Sequence, residues 1–150
     1  MSRSFLINPI GVVRKTGDDA RIEIFDEYTD GMMGLEGFSH IYVFYWFDQN
    51  DTLENRQTLQ VHPRKDPRNP LTGVFATHSP LRPNLIALSR CKIISIKENI
   101  IKLEKLDALD GSPVLDIKCY IPGAPDESDV RVPGWVDQRT EDRGQMTEDR

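Results

Sequence analysis

The chain has 150 residues, a length that suits one domain with a single core able to bury about two-thirds of its chain surface. It is 38% hydrophobic and 29% charged with a net charge of −5, and no apolar run approaches the ~20 residues of a membrane span, so a transmembrane helix is excluded. The two cysteines, Cys91 and Cys119, lack metal-ligand spacing; with no signal segment after Met1 they read as reduced thiols of a cytoplasmic protein.

Taken in order, Phe5–Ile7 and Ile10–Val13 read as short strands broken at Asn8-Pro9, and residues 17–19 as a turn. Residues 21–25 alternate as a half-buried strand does, and residues 26–34 are acidic and irregular with a helical turn. Residues 40–47, His-Ile-Tyr-Val-Phe-Tyr-Trp-Phe, are apolar on both faces and predict a central strand covered on both sides. Thr52–Arg56 predicts one short helix, residues 59–61 a brief strand, and the proline-rich 62–72 a long loop. Val74–Ala76 and Leu85–Leu88 read as apolar strands on either side of Ser79-Pro80 and Arg82-Pro83-Asn84. Each proline fixes its own φ and pushes the preceding residue out of the helical region, so Arg82 sits on a stiff, extended loop. Residues 86–96 and 100–106 form a predicted hairpin around Lys97-Glu98-Asn99, residues 107–111 an acidic turn, and 114–117 a last strand. Trp135 is too large an apolar surface to leave unpacked, and beyond Asp137 the repeat Thr-Glu-Asp-Arg at 140–143 and 147–150 marks a solvated tail. Many short strands without strand–helix alternation predict an all-β barrel or sandwich over residues 1–137, with a flexible charged tail over 138–150.

Charge is uneven along the chain. From Arg56 to Lys92 seven cations face one acid, Asp66, a local +6 that leaves −11 elsewhere. Arg64, Lys65 and Arg68 share one loop, which points to an anion-facing surface of the kind that meets RNA phosphates. The alternative is that these side chains scatter over different faces.

Four blocks carry a family resemblance. They are Gly34-Leu-Glu-Gly-Phe-Ser-His40, Val61-His-Pro-Arg64, the stretch Phe75-Ala-Thr-x-Ser-Pro-x-Arg-Pro-Asn-x-Ile-x-Leu-Ser89, and Leu109-Asp-Gly-Ser-Pro-Val-Leu-Asp-Ile-Lys118. In this order they resemble the TsaA-like family of β-barrel S-adenosylmethionine-dependent methyltransferases. The resemblance covers most of residues 9–122. It implies a small closed β-barrel with long loops and a few helical turns, pairing into a homodimer. It also implies N6-methylation of threonylcarbamoyladenosine in the tRNA anticodon loop. His78, Leu85, Ala87 and Cys119 stand where the family usually has arginine, proline, glycine and proline.

No Gly-x-Gly-x-x-Gly follows a strand, and there is no Walker loop, His-Glu-x-x-His or nucleophile elbow. A methyltransferase needs none of them or any metal, because the sulfonium donor is already activated and alignment can supply about 7–11 kcal/mol of the barrier. By resemblance, the cofactor is contacted at Asp48, Gln49, His78, Leu88, Leu106, Asp107 and Asp110. The aspartates of the 107–111 segment are also natural turn caps. Asp116 interrupts an apolar strand and so needs a partner; it is either ion-paired to Lys118 or catalytic, with Arg82 as the second catalytic candidate. Two other readings stay open. One is an S-adenosylmethionine- or RNA-binding barrel without catalysis, and the other a methyltransferase with a non-tRNA acceptor.

Overall fold

The computed structural model describes residues 2–123 and 127–137, so the predicted 138–150 tail lies outside the described residues. The described residues divide into two compact units, one of residues 2–49 and 86–120, the other of residues 50–85, 121–123 and 127–137.

The first unit is a closed barrel. Its strands are β1 (Gly11–Thr16), β2 (Asp19–Ile24), β3 (His40–Trp46), β6 (Ile86–Lys97), β7 (Ile100–Leu103) and β8 (Pro113–Cys119), in the cyclic order β1-β2-β7-β6-β3-β8. Every neighbouring pair is antiparallel. Val13, Ile22, Ile41, Val43, Ile101, Leu103 and Val114 are each at most 1% exposed, and burying a side chain of this size stabilises by about 1.5–3 kcal/mol. Closure runs through a short β1–β8 ladder, Gly11 opposite Val114, extended by Ile10 N–H donating to the Val114 carbonyl at 2.8 Å. Gly11 is required there, since a Cβ would lie 2.4 Å from the Glu23 carbonyl oxygen on β2.

The second unit carries α1 (Leu53–Gln57), β4 (Gln60–Val61), β5 (Thr72–Gly73) and α2 (Gly134–Asp137). Thr52 caps α1, its Oγ1 accepting from Asn55 N–H at 3.1 Å. β4 and β5 pair as a two-stranded ribbon. Among the described residues, no helix is long and apolar enough to cross a membrane.

Several expectations change. Phe5–Ile7 forms no strand, and the three side chains are 77%, 87% and 51% exposed, for no neighbouring strand pairs with them. β3 is not covered on both faces: Ile41, Val43 and Tyr45 are buried, whereas Tyr42, Phe44 and Trp46 are half-buried on the outside, because a barrel has one interior. Val74–Ala76 is a 3-10 turn rather than a strand. Its Val74 carbonyl accepts from Thr77 N–H and from Thr77 Oγ1 at 3.1 and 2.8 Å, which curls the chain back on itself. β7 stops at Leu103 instead of reaching Leu106.

Candidate functional site

In the barrel, β1, β7 and β3 run one way and their neighbours the other, so the segments that leave β7 and β3 emerge at the same end. Asp48 and Gln49 follow β3 there, both exposed, in a one-turn 3-10 helix. Residues 104–112 follow β7 and are held by Lys15 of β1. Lys15 Nζ donates to the Leu106 carbonyl at 2.6 Å and to the Ala108 carbonyl at 3.2 Å, and Lys15 N–H donates to Asp110 Oδ1 at 2.8 Å. Asp110 is therefore a turn cap, and Gly111 beside it takes φ +85°, which glycine adopts freely. Sequence reading missed Lys15, although a lysine at an inward position, two after the buried Val13, was the signal available.

Asp107 differs from Asp110. It is half-buried, and among the described residues its carboxylate has no hydrogen bond or ion pair. It lies near Cys91, whose thiol pKa is pushed up to about 12, first by burial and then by the Asp107 charge. Leu106 is 2% exposed and belongs to the core, whereas Leu88 is 55% exposed on the outer face of β6, opposite Phe44. Asp116 faces Phe44 from β8, is exposed, and accepts from Ile117 N–H at 2.8 Å. The ion pair expected with Lys118 does not form: both residues point outward into solvent, where an unpaired acid carries no burial penalty. Among the described residues, no group of three or more His, Cys, Asp or Glu is placed to hold a metal ion.

In the second unit, the proline-rich loop is organised by its own arginine. Arg82 is half-buried. Its Nη1 donates to the carbonyls of Ser79 at 2.8 Å and Thr77 at 3.3 Å, and its Nη2 donates to that of Val74 at 3.3 Å. Burial holds its pKa below the usual arginine value. Thr77 Oγ1 accepts from Ser79 N–H, and Ser79 Oγ from Leu81 N–H, both at 3.1 Å. Pro80, Ser79 and Leu85 are buried, while His78 is exposed.

The basic loop is less basic than its sequence. Arg68 is bound bidentately by Asp66 at 2.8 and 3.0 Å, which holds the half-buried Asp66 carboxyl below its usual pKa. Arg64 lies over the Trp135 ring at 5.3 Å and donates to the Val136 carbonyl at 3.3 Å. Of the three, Lys65 alone has no partner among the described residues.

The family model for the tRNA-methyltransferase O N-terminal domain matches residues 8–126. This chain belongs to that family. One relative, named "Probable S-adenosyl-L-methionine-binding protein", from Methanocaldococcus jannaschii, is 45% identical over 116 residues, covering 77% of this chain and 92% of the relative. A second, the tRNA (adenine(37)-N6)-methyltransferase of Mus musculus, is 41% identical over 101 residues, covering 67% of this chain and 23% of that protein. The crystal structure of TrmO from P. aeruginosa superposes with a TM-score of 0.69 at 22% identity, covering 99% of this chain and 76% of that one, a likeness of fold. The expected TsaA-like membership and closed barrel are both found.

Proposed function

We propose that this member of the tRNA-methyltransferase O family binds S-adenosylmethionine and transfers its methyl group to N6 of threonylcarbamoyladenosine in the tRNA anticodon loop. The observation that carries the reading is Asp107. A half-buried carboxylate without a partner, at the barrel end where Asp48 and Gln49 also emerge, suits the ammonium and ribose hydroxyls of the donor. The names of the relatives from M. jannaschii and Mus musculus support the donor and the acceptor respectively. In the transfer, the acceptor nitrogen forms a bond to the methyl carbon as the sulfonium bond breaks, and the nitrogen proton must leave. We assign that proton to Asp116, whose exposed carboxylate stands on the outer face beside Phe44. Arg82, engaged with three carbonyls of its own loop, acts as a positioning residue. Asp110 and Leu106 hold the segment in which Asp107 sits, and Leu88 and His78 are ligand contacts on resemblance alone. Lys65, with Arg64 and Arg68, is assigned to phosphates.

Titration with S-adenosylmethionine tests the donor site. Asp107→Asn should weaken binding by about ten- to 150-fold, the loss of one charged hydrogen bond of roughly 1.5–3 kcal/mol. Unchanged affinity would remove Asp107 from the site. Mass spectrometry of tRNA nucleosides from a strain lacking the gene tests the acceptor; a normal content of N6-methylated threonylcarbamoyladenosine would refute it. A non-catalytic S-adenosylmethionine-binding barrel is the second reading, favoured by His78 at the family's arginine position and by the net charge of −5. A homodimer and a cytoplasmic location complete the proposal. The family resemblance supports pairing; a monomeric mass in light scattering would overturn it.

A further inference from the structure

The outer face of the barrel across β6, β3 and β8 forms an ordered grid. Antiparallel pairing and the two-residue repeat of strands place outward side chains in rows. Lys92 stands opposite His40, which is followed on the other side by Tyr120, whose N–H donates to the His40 carbonyl at 3.0 Å. The next row is Arg90, Tyr42 and Lys118, and the row after it is Leu88, Phe44 and Asp116. The first two rows hold three fixed cations, a histidine and two tyrosines, with no acid among the six, on a chain whose net charge is −5. Arg90, Lys92 and Lys118 are exposed, and His40, Tyr42 and Tyr120 are half-buried. The tyrosines meet edge to face at 5.4 Å, and the Arg90 guanidinium lies 5.0 Å over the Tyr120 ring. Lys92 has one acid nearby, Glu104 at 3.8 Å, but the two side chains are 58% and 62% exposed, and such a surface pair contributes little.

We infer that this face binds single-stranded RNA, the cations taking phosphates and the tyrosine rings stacking bases. Cations interleaved with ring faces are what a single strand needs: a positive track for the backbone and platforms for unpaired bases. A second copy of the chain is the poorer occupant, because a two-fold axis would bring three cations against the same three cations. The inference rests on the proposed tRNA acceptor and deepens it, since the third row brings Asp116 directly beside the grid.

The test is fluorescence anisotropy with a labelled single-stranded RNA of about 12 nucleotides, over a series of salt concentrations. The combined change Arg90→Gln, Lys92→Gln and Lys118→Gln should reduce the slope of log affinity against log salt by about 2, roughly 0.7 for each phosphate that is no longer neutralised. Tyr42→Leu and Tyr120→Leu should each weaken binding at every salt concentration by about five- to 150-fold, without changing the slope. S-adenosylmethionine affinity, measured on the same proteins, should stay as in the wild type, and the melting temperature should fall by no more than about 6 °C, the loss of one ring pair. Wild-type protein that fails to bind the RNA, or variants that bind it as the wild type does, would overturn the inference, whether or not tRNA is methylated. Variants that turn a dimer into a monomer while RNA binding is unchanged would assign the face to a second copy and also overturn it. RNA binding that responds to these variants, with tRNA left unmethylated, would sink the methyl-transfer reading and sustain this one.

Discussion

Replacing Arg82 separates a loop scaffold from a reacting group. In Arg82→Met the three carbonyls of Val74, Thr77 and Ser79 lose a charged donor, at 3.3, 3.3 and 2.8 Å. A charged hydrogen bond contributes roughly 1.5–3 kcal/mol. Two of these are long and the side chain is partly open to water, so the whole set is worth about 2–4 kcal/mol rather than three full bonds. For a chain of this size about 1 kcal/mol moves the melting temperature by roughly 2–4 °C, which gives an expected fall of about 4–16 °C. Hydrogen exchange reads the same loss locally. The amides of Ser79 and Leu81, bonded within the loop, should lose protection before those of β6. Arg82→Lys should rescue little, since one ammonium cannot reach three carbonyls as a planar fork does. Melting and exchange both unchanged in Arg82→Met would refute the scaffold argument, and a loss of turnover alone would return Arg82 to catalysis.

Lys15→Met should lower stability to denaturant by about 1.5–3 kcal/mol, because two carbonyls of the segment after β7 lose their donor; it should also weaken S-adenosylmethionine binding, and a change in neither would free the segment from Lys15. With its pKa pushed up to about 12, Cys91 has on the order of one thiolate in ten thousand at pH 8, so iodoacetamide should add at most one label to the native protein, at Cys119, and two in denaturant. Rapid double labelling of the folded protein would show that Cys91 is not sealed in the barrel.

The parts of the fold that were legible depend on local signals. The hairpin of β6 and β7 follows from apolar runs around Lys97-Glu98-Asn99, and the short helix expected over Thr52–Arg56 is found at Leu53–Gln57, with Thr52 as its cap and not its first residue. Closure was legible only through family resemblance, because Gly11 meets Val114 from the far end of the chain and nothing near Gly11 predicts that partner. The same distinction holds at the candidate site. The Asp110 cap was foreseeable as turn chemistry, but the partner it caps, Lys15 N–H, comes from another strand. Arg82 was singled out correctly as held in place. That it holds the loop by its own carbonyls was not visible, since every residue has a carbonyl and the pattern of acceptors leaves no trace in composition.

Charge shows the limit of a linear reading most clearly. The +6 between Arg56 and Lys92 treats that segment as one surface. Folding gives Arg56 to Asp51 at 2.7 Å, Arg68 to Asp66 and Arg64 to the Trp135 ring, and turns Arg82 into its own loop. Asp51 lies outside the counted segment, so the excess is partly neutralised by an acid that the count assigned elsewhere. Arg90 and Lys92 remain on the open face of β6, and their neighbour in the sheet is Lys118, well outside the window, brought alongside by β3. A cationic surface on a β-barrel is therefore assembled across strands, in rows that only the register defines. The variants that test it must be chosen by row and not by stretch of sequence.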